Sequence, residues 1–202
     1  RLSGRGEIYD WQAGYTYLGP AFQSIANPTG ANNREELTAS GGLKALSSMF
    51  RLSFFHNTDN PDNDLLMPVI QNTSGTLSWN LSRPDWPGAF VNYTINNQES
   101  EKEPDGYNHI ENQTHTIGGG LSVFGDKWSF SPAYTFTKFD DKSAESENDS
   151  RTHTATLAGN IRPADNLSIN PCFSYTRFDT QADDRVTDTY QATIGASSVF
   201  FD

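Results

Sequence analysis

A single cysteine, Cys172, rules out an internal disulfide, so no cross-link holds this chain together. No run of about 18 or more apolar residues occurs, which excludes a membrane-spanning helix. Apolar residues make up only 35% of the 202 residues, and the mean hydropathy is -0.64, poor provision for a conventional two-sided core. Basic residues are also scarce. Fourteen Lys and Arg stand against 25 Asp and Glu, a formal net charge of -11, and no basic stripe exists to neutralise nucleic-acid phosphates. The sequence opens at Arg1-Leu2-Ser3 without a charged-plus-apolar signal pattern, so any such segment is expected to have been cleaved or omitted, and the first residues already resemble the approach to a strand, as expected of a piece cut from a longer protein.

What the chain does contain is alternation. Low hydrophobicity with high net charge would fit disorder, but 12% of the residues are aromatic and they alternate strictly with small polar ones. The segment THTIGGGLSVFGDKWSFSPAYTFTKFDD from Thr114 is followed from Thr152 by a second copy, THTATLAGNIRPADNLSINPCFSYTRFDT. In the first copy Ile117, Leu121, Val123, Trp128, Phe130, Tyr134 and Phe136 fall on one face of a two-strand unit, opposite Gly, Ser, Thr and Ala. Side chains alternate across a strand with period two, so each copy reads as a hairpin, apolar on one side and small and polar on the other.

The same period marks about ten strands: 7–18, 35–45, 49–57, 73–82, 89–97, two in each copy, and 188–201. Tight turns fall at Lys44–Ser48, RPDWPG (83–88), GDK (125–127) and RPADN (162–166), where Gly, Pro, Asp and Asn suit turn geometry. Between them run longer, mostly acidic loops at 19–34, 58–68, 98–113, 140–151 and 180–187. Short connections on one side and long ones on the other are the mark of an up-and-down antiparallel meander.

An exposed aromatic face would aggregate in water and the two sheet edges would invite pairing, so the sheet must close. Closure with the rings inward gives a soluble ligand-binding barrel; closure with the rings outward gives a barrel in lipid. A polar face of Gly, Ser, Thr, Ala and Asn suits a wetted lumen and favours the second. With its short turns, long surface loops and the closing segment DTYQATIGASSVFFD, in which Tyr190, Ile194 and Phe200 share a face, the chain resembles bacterial outer-membrane β-barrel proteins. Asp202 departs from the terminal aromatic usual in that class.

The resemblance implies one all-β domain over residues 1–202, an antiparallel up-and-down transmembrane β-barrel of about ten strands, or the C-terminal part of a larger one. The two differ in whether the strand near Tyr9 pairs with the last strand. The expected location is the outer membrane of a Gram-negative bacterium. The expected work is non-enzymatic, a porin-like passive channel or a membrane anchor and conduit for an export or electron-transfer partner. Outer-membrane lipid and lipopolysaccharide are the implied surroundings, with a periplasmic or secreted protein as a further partner. Two other classes compete: a soluble or fibrous β-rich surface or adhesion protein, and a hydrolase active at the barrel rim.

Candidate functional residues follow from the faces. Asp10, Glu36, Lys44 and Arg51 are the main charges on the polar face and the candidates for lumen charges that bias ion or solute selection. Trp11, Trp79, Trp128, Phe130, Tyr134, Phe173 and Tyr175 are the expected lipid-facing aromatics. Acids cluster at Asp59, Asp62 and Asp64; at Glu99, Glu101, Glu103 and Asp105; at Asp140, Asp141, Glu145, Glu147 and Asp149; and at Asp183 and Asp184. Neither TDNPDND nor DDKSAESENDS fits an EF-hand loop, so these read as solvated loops, with bridging through divalent ions to lipopolysaccharide as the functional alternative. His115 and His153 match in the repeat but fall two strands apart, roughly 10 Å at about 4.8 Å per strand, too far for a shared zinc; hydrogen bonding at the membrane interface is expected of both. His56, beside Asp59, Asp62 and Asp64, is the one candidate for rim chemistry, and Cys172 reads as a lone thiol on the polar face. Asn-x-Ser/Thr triplets at Asn72, Asn80, Asn92, Asn112, Asn148 and Asn166 are explained by the abundance of these residues. No cofactor, metal site or catalytic residue is assigned.

Overall fold

The computed structural model describes residues 1–21, 33–143, 148–182 and 184–198. They form one antiparallel sheet of eleven strands in which neighbours in sequence are neighbours in space. The strands are β1 (Leu2–Arg5), β2 (Tyr9–Leu18), β3 (Arg34–Ala45), β4 (Ser48–Asp59), β5 (Val69–Leu81), β6 (Gly88–Glu101), β7 (Glu111–Gly125), β8 (Trp128–Asp141), β9 (Ser150–Ala164), β10 (Leu167–Thr180) and β11 (Arg185–Ser198). From β2 onward each is 10 to 15 residues long, enough to cross a bilayer when tilted, for which about 9–11 residues suffice. The architecture is that of an up-and-down β-barrel wall.

The extra strand is β1, which pairs with β2 through Leu2↔Ala13 to Arg5↔Asp10. Among the described residues β1 and β11 are the two edges of the sheet and do not pair with each other, so direct closure of β2 or its neighbour on the last strand is not observed. Phe200 and Asp202 lie outside the described residues.

Connection lengths follow the expected alternation. Residues 46–47, 82–87, 126–127 and 165–166 turn tightly on one side, while the strand ends that flank the longer connections, Leu18 and Arg34, Asp59 and Val69, Glu101 and Glu111, Asp141 and Ser150, Thr180 and Arg185, lie on the other. Strands run further into the long loops than alternation of apolar residues suggests. Asp59, Glu99, Glu101, Asp140 and Asp141 belong to strands, because ladder hydrogen bonds continue after the apolar residues have stopped. Asp62, Asp64, Glu103, Asp105, Asp149 and Asp184 are loop residues; Glu145, Glu147 and Asp183 lie outside the described residues.

The repeat becomes β7–β8 and β9–β10. Its second copy carries one additional residue, where the step from Ile161 to Ala164 on β9 opposes the shorter step from Ile169 to Leu167 on β10. This bulge contains Pro163, whose missing N–H makes it tolerable where the ladder is already interrupted.

No dry core exists. Val69, at 6% exposure, is the buried hydrophobic residue among those described. The accessible surface is 14029 Å², against roughly 9,400 Å² expected of a compact soluble monomer of this mass. Trp11, Trp128 and Phe173 are 45%, 42% and 45% exposed, whereas a sheet sandwich would bury such rings between its layers. Among the described residues no helix is long and apolar enough to cross a membrane, which says nothing of strands.

Candidate functional site

Strand register assembles the polar face into cross-strand rows. Gln12, Ser40, Ser53, Thr76, Thr94, Thr116, Thr137 and Thr152 stand side by side from β2 to β9. Threonine suits a strand through its β-branch, and here its hydroxyl also bonds sideways: Thr76 to Thr94 at 3.1 Å and Thr116 to Thr137 at 3.2 Å. Thr154 and Thr176 repeat the contact at 3.4 Å in the second copy. Cys172 sits in this face, opposite Thr193 on β11 and Ala158 on β9, as a free, exposed thiol.

The four expected polar-face charges lie on β2, β3 and β4, and they do not form one cluster. Asp10, Gly42 and Arg51 occupy one row, and Arg51 Nη2 stands 3.7 Å from Asp10 Oδ2. Lys44 is near the tight turn, opposite Met49, while Glu36 is toward the long loops, opposite Asn57. A further pair that sequence reading does not pick out, Arg34 Nε to Asp59 Oδ1 at 3.4 Å, closes the same strands at the loop end. By contrast the polar faces of β5, β6 and β7 carry no charged side chain.

Amides replace charge there. One row reads Asn57, Asn72, Gln98, Asn112 from β4 to β7, with Gln98 Nε2 donating to Asn72 Oδ1 at 2.9 Å and Asn112 Nδ2 donating to Gln98 Oε1 at 3.3 Å. Asn57 is 1% exposed, and its Nδ2 makes no hydrogen bond among the described residues. Sequence reading treats Asn72 and Asn112 only as incidental Asn-x-Ser/Thr triplets. The available signal was that amides recur on the polar parity at the loop ends of four successive strands.

The apolar face holds the seven expected aromatics. Trp79 lies opposite Phe50 and Val91, and Trp11 opposite Gly41. Trp128 and Phe130 pack at a ring separation of 5.6 Å, Tyr134 is opposite Gly119 and Ala155, and Phe173 is opposite Leu157 and Ala192. Tyr175 stacks on Tyr190 at 4.9 Å and donates to Asp188 at 2.8 Å. Two tyrosine hydroxyls meet the repeat histidines: Tyr93 Oη to His115 Nδ1 and Tyr134 Oη to His153 Nδ1, both at 2.7 Å. A ring that is apolar in body and hydrogen-bonded at its tip is what a lipid–water boundary selects.

His56 does not join the neighbouring acids. It shares the apolar face with Phe54, and its ring nitrogens lie 2.8 Å from Thr73 Oγ1 and 3.4 Å from Thr58 Oγ1. Asp62 instead accepts from Tyr17 Oη at 2.7 Å, and Asp64 caps its own loop through Leu66 N. No group of three or more His, Cys, Asp or Glu placed to hold a metal occurs among the described residues.

A serine, a glutamate and a histidine do converge in the 102–110 loop. Ser100 Oγ donates to Glu103 Oε1 at 2.6 Å and accepts from Ile110 N at 2.7 Å, while His109 Nδ1 lies 2.7 Å from the same Glu103 oxygen. The carboxylate therefore stands between hydroxyl and imidazole: the serine proton is held by Glu103 and not by His109, and the arrangement clasps a loop. The Ser100 and His109 hydrogen bonds hold the Glu103 carboxyl down at about 2, and Glu103 raises His109 above its ordinary value.

No family model and no curated protein sequence matches the chain. Among solved structures it is similar to one described as "Outer-membrane expressed OmpT of Vibrio cholerae", at 14% identity with a TM-score of 0.53. That likeness covers 97% of this chain and 62% of the other, so the chain spans less than two thirds of that protein's length. Eleven sequential antiparallel strands with a polar and an aromatic face thus carry the fold of an outer-membrane β-barrel.

Proposed function

We propose that this protein resides in a bacterial outer membrane, its aromatic face against lipid and its hydroxyl- and amide-rich face lining a water-filled passive channel. The observation that carries this reading is the separation of the two faces, maintained by strand register from β2 to β11 with no dry core behind either among the described residues. Side chains that are mostly Gly, Ser, Thr, Ala and Asn are too small to fill a barrel interior, which leaves room for water. Outer-membrane lipid is the expected neighbour of Trp11, Trp79, Trp128, Phe130, Tyr134, Phe173 and Tyr175, and Asp10, Glu36, Lys44 and Arg51 are the charges that bias passage.

Reconstitution in planar bilayers tests the proposal: stepwise ionic conductance is expected, together with a need for detergent and heat-modifiable migration on gels. Full insertion without any conductance would replace the channel by the membrane-anchor role. Solubility without detergent would remove both.

A further inference from the structure

The uncharged end of the polar face is hollowed rather than flat. Phe55, Asn72, Ser74, Asn96, Gln98 and Asn112 line a cleft of ≈ 370 Å³, spanning β4 to β7 just below the long loops. We propose that this cleft is a subsite for a neutral saccharide, an inference that rests on the channel reading and names the class of solute the channel favours.

Three features carry it. The first is a prepared set of donors and acceptors. The chain of bonds from Asn112 through Gln98 to Asn72 fixes the orientation of all three amides and leaves Asn72 Nδ2 as a donor at one end and Asn112 Oδ1 as an acceptor at the other. Asn96 adds a whole amide with no side-chain hydrogen bond among the described residues. Sugar hydroxyls both donate and accept, so such a surface can replace the water they lose. The second is Phe55, half-buried on the polar face, an apolar patch of the kind that packs on the C–H face of a pyranose ring. The third is charge. No ionisable side chain lines the cleft, and the row of Asn57, Asn72, Gln98 and Asn112 is flanked by Glu36 on β3 and Asp141 on β8, an arrangement that disfavours anionic solutes.

The test is block of ionic current in planar bilayers by maltotriose, with sialyllactose as the anionic comparator. Maltotriose should reduce the current saturably and sialyllactose at least tenfold less effectively. The double variant Asn96→Ala/Gln98→Ala should raise the half-blocking maltotriose concentration about tenfold or more, and Phe55→Leu should raise it as well, both with unchanged heat-modifiable migration. Equal block in the variants, or equal block by the two sugars, would overturn the subsite while leaving the channel standing. If the inserted protein passes no current, the channel reading fails instead. Saturation-transfer NMR on the detergent-solubilised protein then decides the subsite: transfer to maltotriose that is lost in the double variant supports it, and no transfer to maltotriose overturns it.

Discussion

Arg51 reaches Asp10 across a glycine. The two side chains come from β4 and β2, and on the intervening β3 the register position is Gly42, where a Cβ would stand 2.8 Å from Asp10 Oδ2. The missing side chain is what lets opposite charges two strands apart approach to 3.7 Å.

Both partners are substantially exposed, so the pair contributes only about 0–1 kcal/mol to stability; under the proposed channel function its effect is on ion selection. Arg51→Ala is expected to increase cation preference and Asp10→Ala to decrease it, measured as reversal potential across a salt gradient. Gly42→Ala should shift the same potential by forcing the pair apart. Reversal potentials that match the parent in all three variants would remove the selectivity role.

The Tyr93–His115 and Tyr134–His153 bonds are two independent copies of one contact. Tyr93→Phe and Tyr134→Phe should each cost about 0.5–1.5 kcal/mol in urea unfolding from liposomes. The pairs share no residue, so the double variant should lose the sum of the two.

Asn60 organises the 60–68 loop. It is 6% exposed and has a φ of 61°, and its side chain donates to Asp64 O and Met67 O and accepts from Asp64 N and Asn33 Nδ2. Asn60→Ala forfeits all four bonds and strains the left-handed backbone; Asn60→Asp keeps the acceptor and loses the two donors. Limited proteolysis should therefore cut the loop fastest in the Ala variant, more slowly in Asp and slowest in the parent.

The Glu103–His109 clasp should depend on pH from both sides. Glu103 is lowered from 4.5 to about 2, so its contribution is complete above about 4.5 and is lost as pH falls through about 2. His109 is raised above 6.5, so its contribution is complete below 6.5 and is lost as pH rises through that raised value. Amide exchange in residues 102–110, corrected for its intrinsic pH dependence, should be best protected between about 4.5 and 6.5. His109→Gln should abolish the loosening on the alkaline side only.

The strands, their faces and the side on which each loop lies were legible because period-two alternation is local and needs no knowledge of neighbours. Strand ends were not, since Asp59, Glu99 and Asp141 are held by ladder bonds that polarity does not encode. β1 was missed because Leu2–Arg5 is too short to show a period. Cross-strand relations were the least accessible: that Asp10 faces Arg51, or that Asn72, Gln98 and Asn112 form one row, depends on register, which turn lengths fix only once every hairpin is known. The repeat did foretell matching roles for His115 and His153, but their tyrosine partners come one strand earlier and do not match each other in it: Tyr93 precedes the repeat, and Tyr134 is replaced by Phe173 in the second copy.

The uneven placement of charge has a consequence for anything that travels along the polar face. Ionised groups gather on β2, β3 and β4, while the walls formed by β5, β6 and β7 are neutral, so the electric field in a closed pore would point across the passage as well as along it. A solute carrying a dipole would be turned as it advanced, presenting its polar end to the ionised wall and its remaining surface to the amides opposite.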